Sequence, residues 1–241
     1  MPSALCARLG IEFPLFAFSH CRDVVVEVSK AGGMGVLGVA GFSPEKLEAE
    51  LAWIDEHVNG HPYGVDLIVP AKFATKGKPL SGVDTAARIP AEHREFVQSL
   101  LVEHGLDPGL VSDERLARGT RLGANMADDG ANASLDVAFS HPIRLIANAL
   151  GPPPPYMVDR AKAEGVLIAA LVGAREHAVR QAEAGVDIIV AAGGEAGGHC
   201  GEVSTMVLVP EIVDSMRAYG DIPVLAAGGI VTGRQMAGCM A

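Results

Sequence analysis

Residues 187–202 read DIIVAAGGEAGGHCGE, and they hold the residue types best suited to chemistry in this chain. A short apolar run, Asp187 to Ala192, breaks into Gly193, Gly194, Glu195, Ala196, Gly197 and Gly198 and then delivers one histidine, His199. Glycines without a Cβ let the backbone approach a ligand closely and adopt positive φ. An imidazole exchanges a proton near neutral pH, so His199 is the candidate base or hydrogen-bond donor. The plain alternative is a loop histidine satisfied by a backbone carbonyl. Glu195 and Glu202 read as solvated loop or helix-cap residues, and Cys200 as an ordinary small loop residue.

A second segment, DIPVLAAGGIVTGRQM (221–236), delivers Gly228 and Gly229 at the end of an apolar strand, and Thr232 then opens a helix. In α/β barrels the loops after the last strands hold phosphate through backbone N–H groups, aided by the positive end of a helix. Without a ligand the same glycines would serve only a tight turn. Gly32-Gly33-Met34-Gly35 has the glycines of a dinucleotide fingerprint but follows a helix and precedes a strand, so it reads as a helix stop. No GxxxxGK[ST] run occurs.

The elements that must position these loops alternate. Apolar runs beginning near 13, 35, 63, 143, 166, 187 and 223 read as strands, and helical spacing fills most of the gaps. Ser43 as N-cap and Pro44 at the first helical position open a helix to about His57. Further helices are expected over 23–31, 156–164, 174–184 and 209–219, and from Thr232. Residues 71–141 break the rhythm around an amphipathic helix at 90–105, and read as a helical insertion or lid within the domain. Trp53 and Phe96 read as core or lid packing. The alternation predicts an α/β chain with a parallel sheet of seven strands; a (β/α)8 TIM barrel would need one more, so the chain reads as an incomplete barrel, with a genuine open sheet as the alternative. It is expected to be a single domain over 1–241, shortened at its C-terminal end.

At 49% hydrophobic the chain can bury one sizeable core. A formal net charge of −10 argues against nucleic acid or an anionic membrane surface as partner. The four cysteines form no CxxC pair, which indicates neither a zinc site nor a disulfide framework and fits reduced thiols in the cytoplasm. No signal peptide or bilayer-spanning run is read. The spacing of His20, His61 and His141 predicts no metal site.

GGEAGGHCGE (193–202), PVLAAGGIVTGRQ (223–235), AGGMGVLG (31–38) and PYGVDLIVP (62–70) together resemble the nitronate monooxygenase family, formerly the 2-nitropropane dioxygenases, which are FMN-dependent (β/α)8 barrels. FAFSHCRD (16–23) and IANALGPPPP (146–155) look like one branch of it. The resemblance implies FMN-dependent oxidation of alkyl nitronates or nitroalkanes by O2 to carbonyl compounds and nitrite, with His199 catalytic. It implies cofactor contacts at Phe18, Ser19, His20, Asp66, Asn148, Ala196, Gly197 and Gly198, and phosphate contacts at Gly228 and Gly229. Asp66 stands where the family often has Asn, a departure that adds negative charge beside an electron-rich ring. Expected partners are a small substrate and O2; the oligomeric state is left open. Two alternatives stand beside this reading, an FMN-dependent enoyl-thioester reductase and an inactive, shortened flavin-binding module. An inosine-monophosphate-dehydrogenase-like barrel would need a catalytic cysteine loop, which the surroundings of Cys200 do not match.

Overall fold

A computed structural model of the chain describes residues 3–69, 89–112, 128–198 and 200–240. Seven strands carry the fold: β1 (Phe16–Ser19), β2 (Met34–Gly38), β3 (Tyr63–Leu67), β4 (Leu145–Asn148), β5 (Leu167–Val172), β6 (Ile188–Ala192) and β7 (Val224–Ala227). They form one parallel sheet in the order β1 to β7, each strand pairing with its successor in sequence. The helices are α1 (Ala4–Leu9), α2 (Arg22–Lys30), α3 (Pro44–His57), α4 (Ala91–Glu103), α5 (Asp128–Ser140), α6 (Pro155–Glu164), α7 (Arg175–Glu183), α8 (Thr205–Met216) and α9 (Gly233–Met240). Among the described residues no helix is long and apolar enough to cross a membrane.

Side chains leave a strand on alternate faces, and here both faces are covered, which is why the strands read as continuous apolar runs. Val65, Leu67, Ile146, Ile168 and Ile189 point outward to a core shared with the helices. Met34, Val36, Leu145, Ala169 and Ile188 point the other way and meet one another, so the sheet curls around them. The result is an incomplete (β/α)8 barrel, as the alternation predicts. Leu5, Cys6 and Leu9 of α1 close the bottom of the inner cluster. Arg8 fixes that helix with an ion pair to Asp187 at 3.2 Å, and Arg144 donates to its carbonyl at 3.3 Å.

Local signals explain most boundaries. Ser43 Oγ accepts from the Lys46 N–H at 3.3 Å, and Pro44 sits where no amide bond is needed. Gly32, at φ 92, ends α2 and turns the chain directly into β2. The first strand begins at Phe16 rather than 13, because Phe13 lies outside the sheet and is 51% exposed. Helix α8 begins at Thr205, not Val209, and carries Pro210 in its interior. The expected start at 209 is therefore four residues late, for a reason that belongs to the site described below.

Helix α4 lies within the amphipathic segment expected over 90–105, but none of its residues is buried, and Phe96 is 63% exposed. The helix lies against a short 3₁₀ turn, Pro108–Val111. Of the two readings offered for Phe96, core or lid packing, its exposure removes the core one. Trp53, by contrast, packs against the outer core, with the Arg22 guanidinium 4.3 Å from its ring centroid. Leu135 and Ala138 of α5 are buried against that same core, which places α5 in the barrel's helical layer. The remainder of 71–141 lies outside the described residues.

Below the sheet, one polar network ties three elements together. The Tyr63 hydroxyl donates to Asp55 Oδ1 at 2.6 Å, and His141 Nδ1 lies 2.6 Å from Asp55 Oδ2. His141 Nε2 reaches Glu48 at 3.2 Å. Burial, helped by the Asp55 charge, pushes the Tyr63 phenol far above its usual range.

Candidate active site

The C-terminal ends of parallel strands are where such sheets place their chemistry. There, the loop after β6 and the turn after β7 lock into each other. The Gly193 N–H donates to the Ala227 carbonyl at 3.1 Å, and Ala196 N donates back to Gly193 O at 2.9 Å. Glu195 Oε2 accepts from Thr205 N at 2.8 Å and from Thr205 Oγ1 at 2.9 Å, capping α8. Those bonds hold the Glu195 carboxyl below its ordinary range, the backbone N–H of Thr205 contributing most. The cap expected of Glu195 is thus present, and its target is ten residues away.

Thr205 is the residue that sequence reasoning missed. It is buried, and its hydroxyl touches both loops. A Cβ on Gly193 would collide with its Oγ1 and N, and a Cβ on Gly228 would lie 2.8 Å from Oγ1 and 2.7 Å from Ala196 N. Gly228 also holds φ 117, which a side chain rarely adopts. Both glycines are therefore required by contact. The missed signal was Ser204-Thr205 ahead of an apolar run, which Pro210 obscured.

The turn after β7 leads into α9 through a capping box. Gln235 Oε1 accepts from Val231 N and Thr232 N at 2.9 Å, and Gln235 N points to Thr232 Oγ1 at 3.4 Å. That box satisfies the amides of 231 and 232, while those of Gly228 and Gly229 bond no described residue. Two free N–H groups beside a helix N-terminus can receive an anionic oxygen.

On the opposite side of the mouth, Phe18 is 58% exposed and lies over Gly38, where a Cβ would strike its ring. His20 stands edge-on to Phe18, centroids 5.1 Å apart, and its Nδ1 is 2.7 Å from the Gly38 carbonyl. A carbonyl only accepts, so Nδ1 carries the proton. Ser19 Oγ accepts from Cys21 N at 3.0 Å. Asp66 pairs in register with Gly38, its side chain on the inner face and 8% exposed. Its Oδ1 is buried without a partner among the described residues, and burial raises its pKa to about 7.

Asn148 behaves differently. Its Oδ1 accepts from Val69 N at 2.9 Å, and its Nδ2 donates to Val69 O at 3.1 Å and to Gly151 O at 3.0 Å. Its amide hydrogens are thus spent bracing the exit of β3 at Val69 and the loop after β4 at Gly151. Ala196, Gly197 and Gly198 line the β6 loop at the mouth, Ala196 half-buried and the two glycines exposed. His199 follows Gly198 in sequence and lies outside the described residues. The mouth thus brings together the β1, β3, β6 and β7 ends that carry the sequence-derived candidates.

The family model for nitronate monooxygenase matches residues 4–241. The chain belongs to the nitronate monooxygenase family. A relative from Mycobacterium tuberculosis, Rv1533, named provisionally as a monooxygenase, is 53% identical over the whole chain and 63% of its own length. A Staphylococcus saprophyticus protein named provisionally as a nitronate monooxygenase is 28% identical over 96% of the chain and 62% of its own length. The chain thus spans about three fifths of the length of these relatives. Among solved structures, nitroalkane oxidase from Streptomyces ansochromogenes superposes with a TM-score of 0.69 at 23% identity, covering 99% of this chain and 64% of that one. FabK from Thermotoga maritima superposes with a TM-score of 0.66, also at 23% identity, covering 98% of this chain and 57% of that one. At that identity both show the shared fold, and the family model supplies the assignment among nitronate monooxygenases.

Proposed function

We propose that this member of the nitronate monooxygenase family binds FMN at the barrel mouth and oxidises alkyl nitronates, with O2 as electron acceptor, to carbonyl compounds and nitrite. The family match across 4–241 is the observation that carries the reading. The residues present fit a flavin: the mouth offers to a phosphate the amides of Gly228 and Gly229, which bond no described residue, and to a polar ring the buried Asp66 carboxyl, whose Oδ1 has no partner among the described residues. The bound flavin would supply the redox chemistry, which the protein can only bind, orient and tune.

The chain's own residues then have defined tasks. Gly228 and Gly229 would hold the phosphate, with Ala196, Gly197 and Gly198 bordering the same cradle. Phe18, Ser19 and His20 would border the ring from the β1 side. Asn148 acts through the β3 exit that it braces. His199 would hydrogen-bond the nitronate oxygens, or take the α-proton when a neutral nitroalkane binds.

The test is the visible spectrum of the purified chain with FMN, followed anaerobically with propyl-2-nitronate. Bleaching by the nitronate and recovery in air are expected, and His199→Ala should cut turnover by roughly 10²-fold or more while flavin stays bound. Bleaching by NADH or NADPH alone would assign an enoyl-thioester reductase instead. Absence of bound flavin would identify a barrel that does not retain cofactor by itself.

A further inference from the structure

At the upper end of the barrel interior, Asp66 is buried without a hydrogen-bond partner among the described residues. Alternation along β3 sends Val65 and Leu67 to the outer core and turns Asp66 inward. Across the sheet, Asp66 lies in register with Gly38 of β2 and Ala147 of β4, and Ala147 with Ala169 of β5. These neighbours offer a hydrogen atom or a methyl group, so no side chain beside the carboxyl can bond it. Its Oδ1 has no partner among the described residues although the residue is 8% exposed.

The groups facing it are few. Among the described residues, the inner cluster that includes its register partner Ala147 brings Ala169 from β5 and Ile188 from β6, both apolar. Over Gly38 lie the Phe18 ring and His20, whose Nδ1 is committed to the Gly38 carbonyl. His20 is the titratable side chain on that flank. Burial alone pushes the Asp66 carboxyl up to about 7, without a contribution from any ionised neighbour.

We propose that Asp66, in its acid form, is the hydrogen-bond donor that this barrel offers to a flavin ring, so that the chain holds flavin more tightly below neutral pH than above it. The proposal rests on the flavin reading given above. A neutral carboxyl carries one O–H donor, whereas a carboxylate only accepts. The heteroatoms of an oxidised flavin ring are largely acceptors, and a carboxylate beneath them would add repulsion. An amide at the same place donates at every pH. Aspartate at position 66 therefore converts a permanent donor into one that is present or absent according to pH.

The experiment measures the dissociation constants of riboflavin and FMN by quenching of flavin fluorescence in the whole chain, between about pH 5.5 and 8.5. Riboflavin lacks the phosphate, so its profile is free of phosphate titration. The native chain should bind both ligands roughly tenfold more weakly at pH 8 than at pH 6. Asp66→Asn should give a flat riboflavin profile, and because His20 is common to both chains, its titration cancels in the ratio between them. Parallel profiles in the two chains would overturn the proposal while leaving the flavin site standing. Failure of the native chain to bind flavin at any pH would overturn both readings, and failure of Asp66→Asn alone would overturn the present one. Infrared spectroscopy of the flavin-free chain gives a separate readout. A carboxylic-acid C=O band should be present at pH 6, fade by pH 8 and be missing from Asp66→Asn; its absence from the native chain overturns the proposal even where flavin binds.

Discussion

At the barrel mouth two carboxyl groups are displaced in opposite directions by opposite surroundings. Asp66 is buried beside Gly38 and Ala147, its Oδ1 without a partner among the described residues, so its acid form is favoured and its pKa rises to about 7. Glu195 accepts the Thr205 N–H and hydroxyl, so its charged form is favoured and its pKa falls. The stability consequences have opposite signs. For Asp66 the folded chain holds its proton more tightly than the unfolded one, so stability declines as pH rises from about 4 through 7. Asp66→Asn should therefore stabilise the flavin-free chain by about 2–3 kcal/mol more at pH 8 than at pH 5, read from urea unfolding at both values. For Glu195 the contribution exists above the usual glutamate range and is lost as pH falls. Glu195→Ala should lower the Tm at pH 7, and the gap to the native chain should narrow on acidification through pH 4.

Glycines set the geometry at the scale of elements. The β6 loop and the β7 turn approach so closely that Gly193 and Gly228 each abut Thr205 at the start of α8. Gly193→Ala would push α8 away and break the Glu195 cap, and should cost roughly 1–3 kcal/mol in urea unfolding. It should also weaken FMN binding, because the phosphate cradle is built from the same two loops. Gly229→Ala provides a contrast. Its Cβ would meet only Glu195 Cβ at 3.2 Å, and its strain comes from φ 73. Thermal unfolding should show the smaller stability loss for Gly229→Ala, with flavin affinity reduced in both variants. Elsewhere, Gly201 sits directly against the Gly173 backbone, which fastens the far end of the β6 loop to the exit of β5.

For the molecule as a whole, the inner cluster depends on a helix far from the chemistry. Leu9 of α1 is 1% exposed beneath the curled sheet, against residues drawn from β2, β4, β5 and β6. Leu9→Ala should cost about 2–5 kcal/mol, because the rigid strand ends around it cannot close the cavity. The same variant should leave the mouth chemistry intact at temperatures where the chain is folded, since α1 lies below the N-terminal ends of the strands. Chemical denaturation followed by a flavin-binding measurement on the folded fraction checks both halves of that expectation.

All seven strands, their parallel order and the glycine loops at His199 and Gly228 were legible in the chain itself. Apolar runs separated by helical spacing admit few other topologies, and short connections place each strand beside its successor. The Ser43 cap and the role of Glu195 as a capping residue were equally local in character, because both depend on a side chain seeking nearby backbone donors. What the tertiary structure alone decided were relations between segments distant in sequence. The start of α8 is fixed by Glu195 across a loop, not by Pro210 within the helix. Helix α4 has no buried residue although its pattern is amphipathic. Asn148 is consumed by Val69, 79 residues earlier. Asp66 read as an added negative charge on a strand, and only the curl of the sheet buried it and raised its pKa to about 7. Charge state and accessibility belong to the folded surroundings, and no local pattern of residues encodes them.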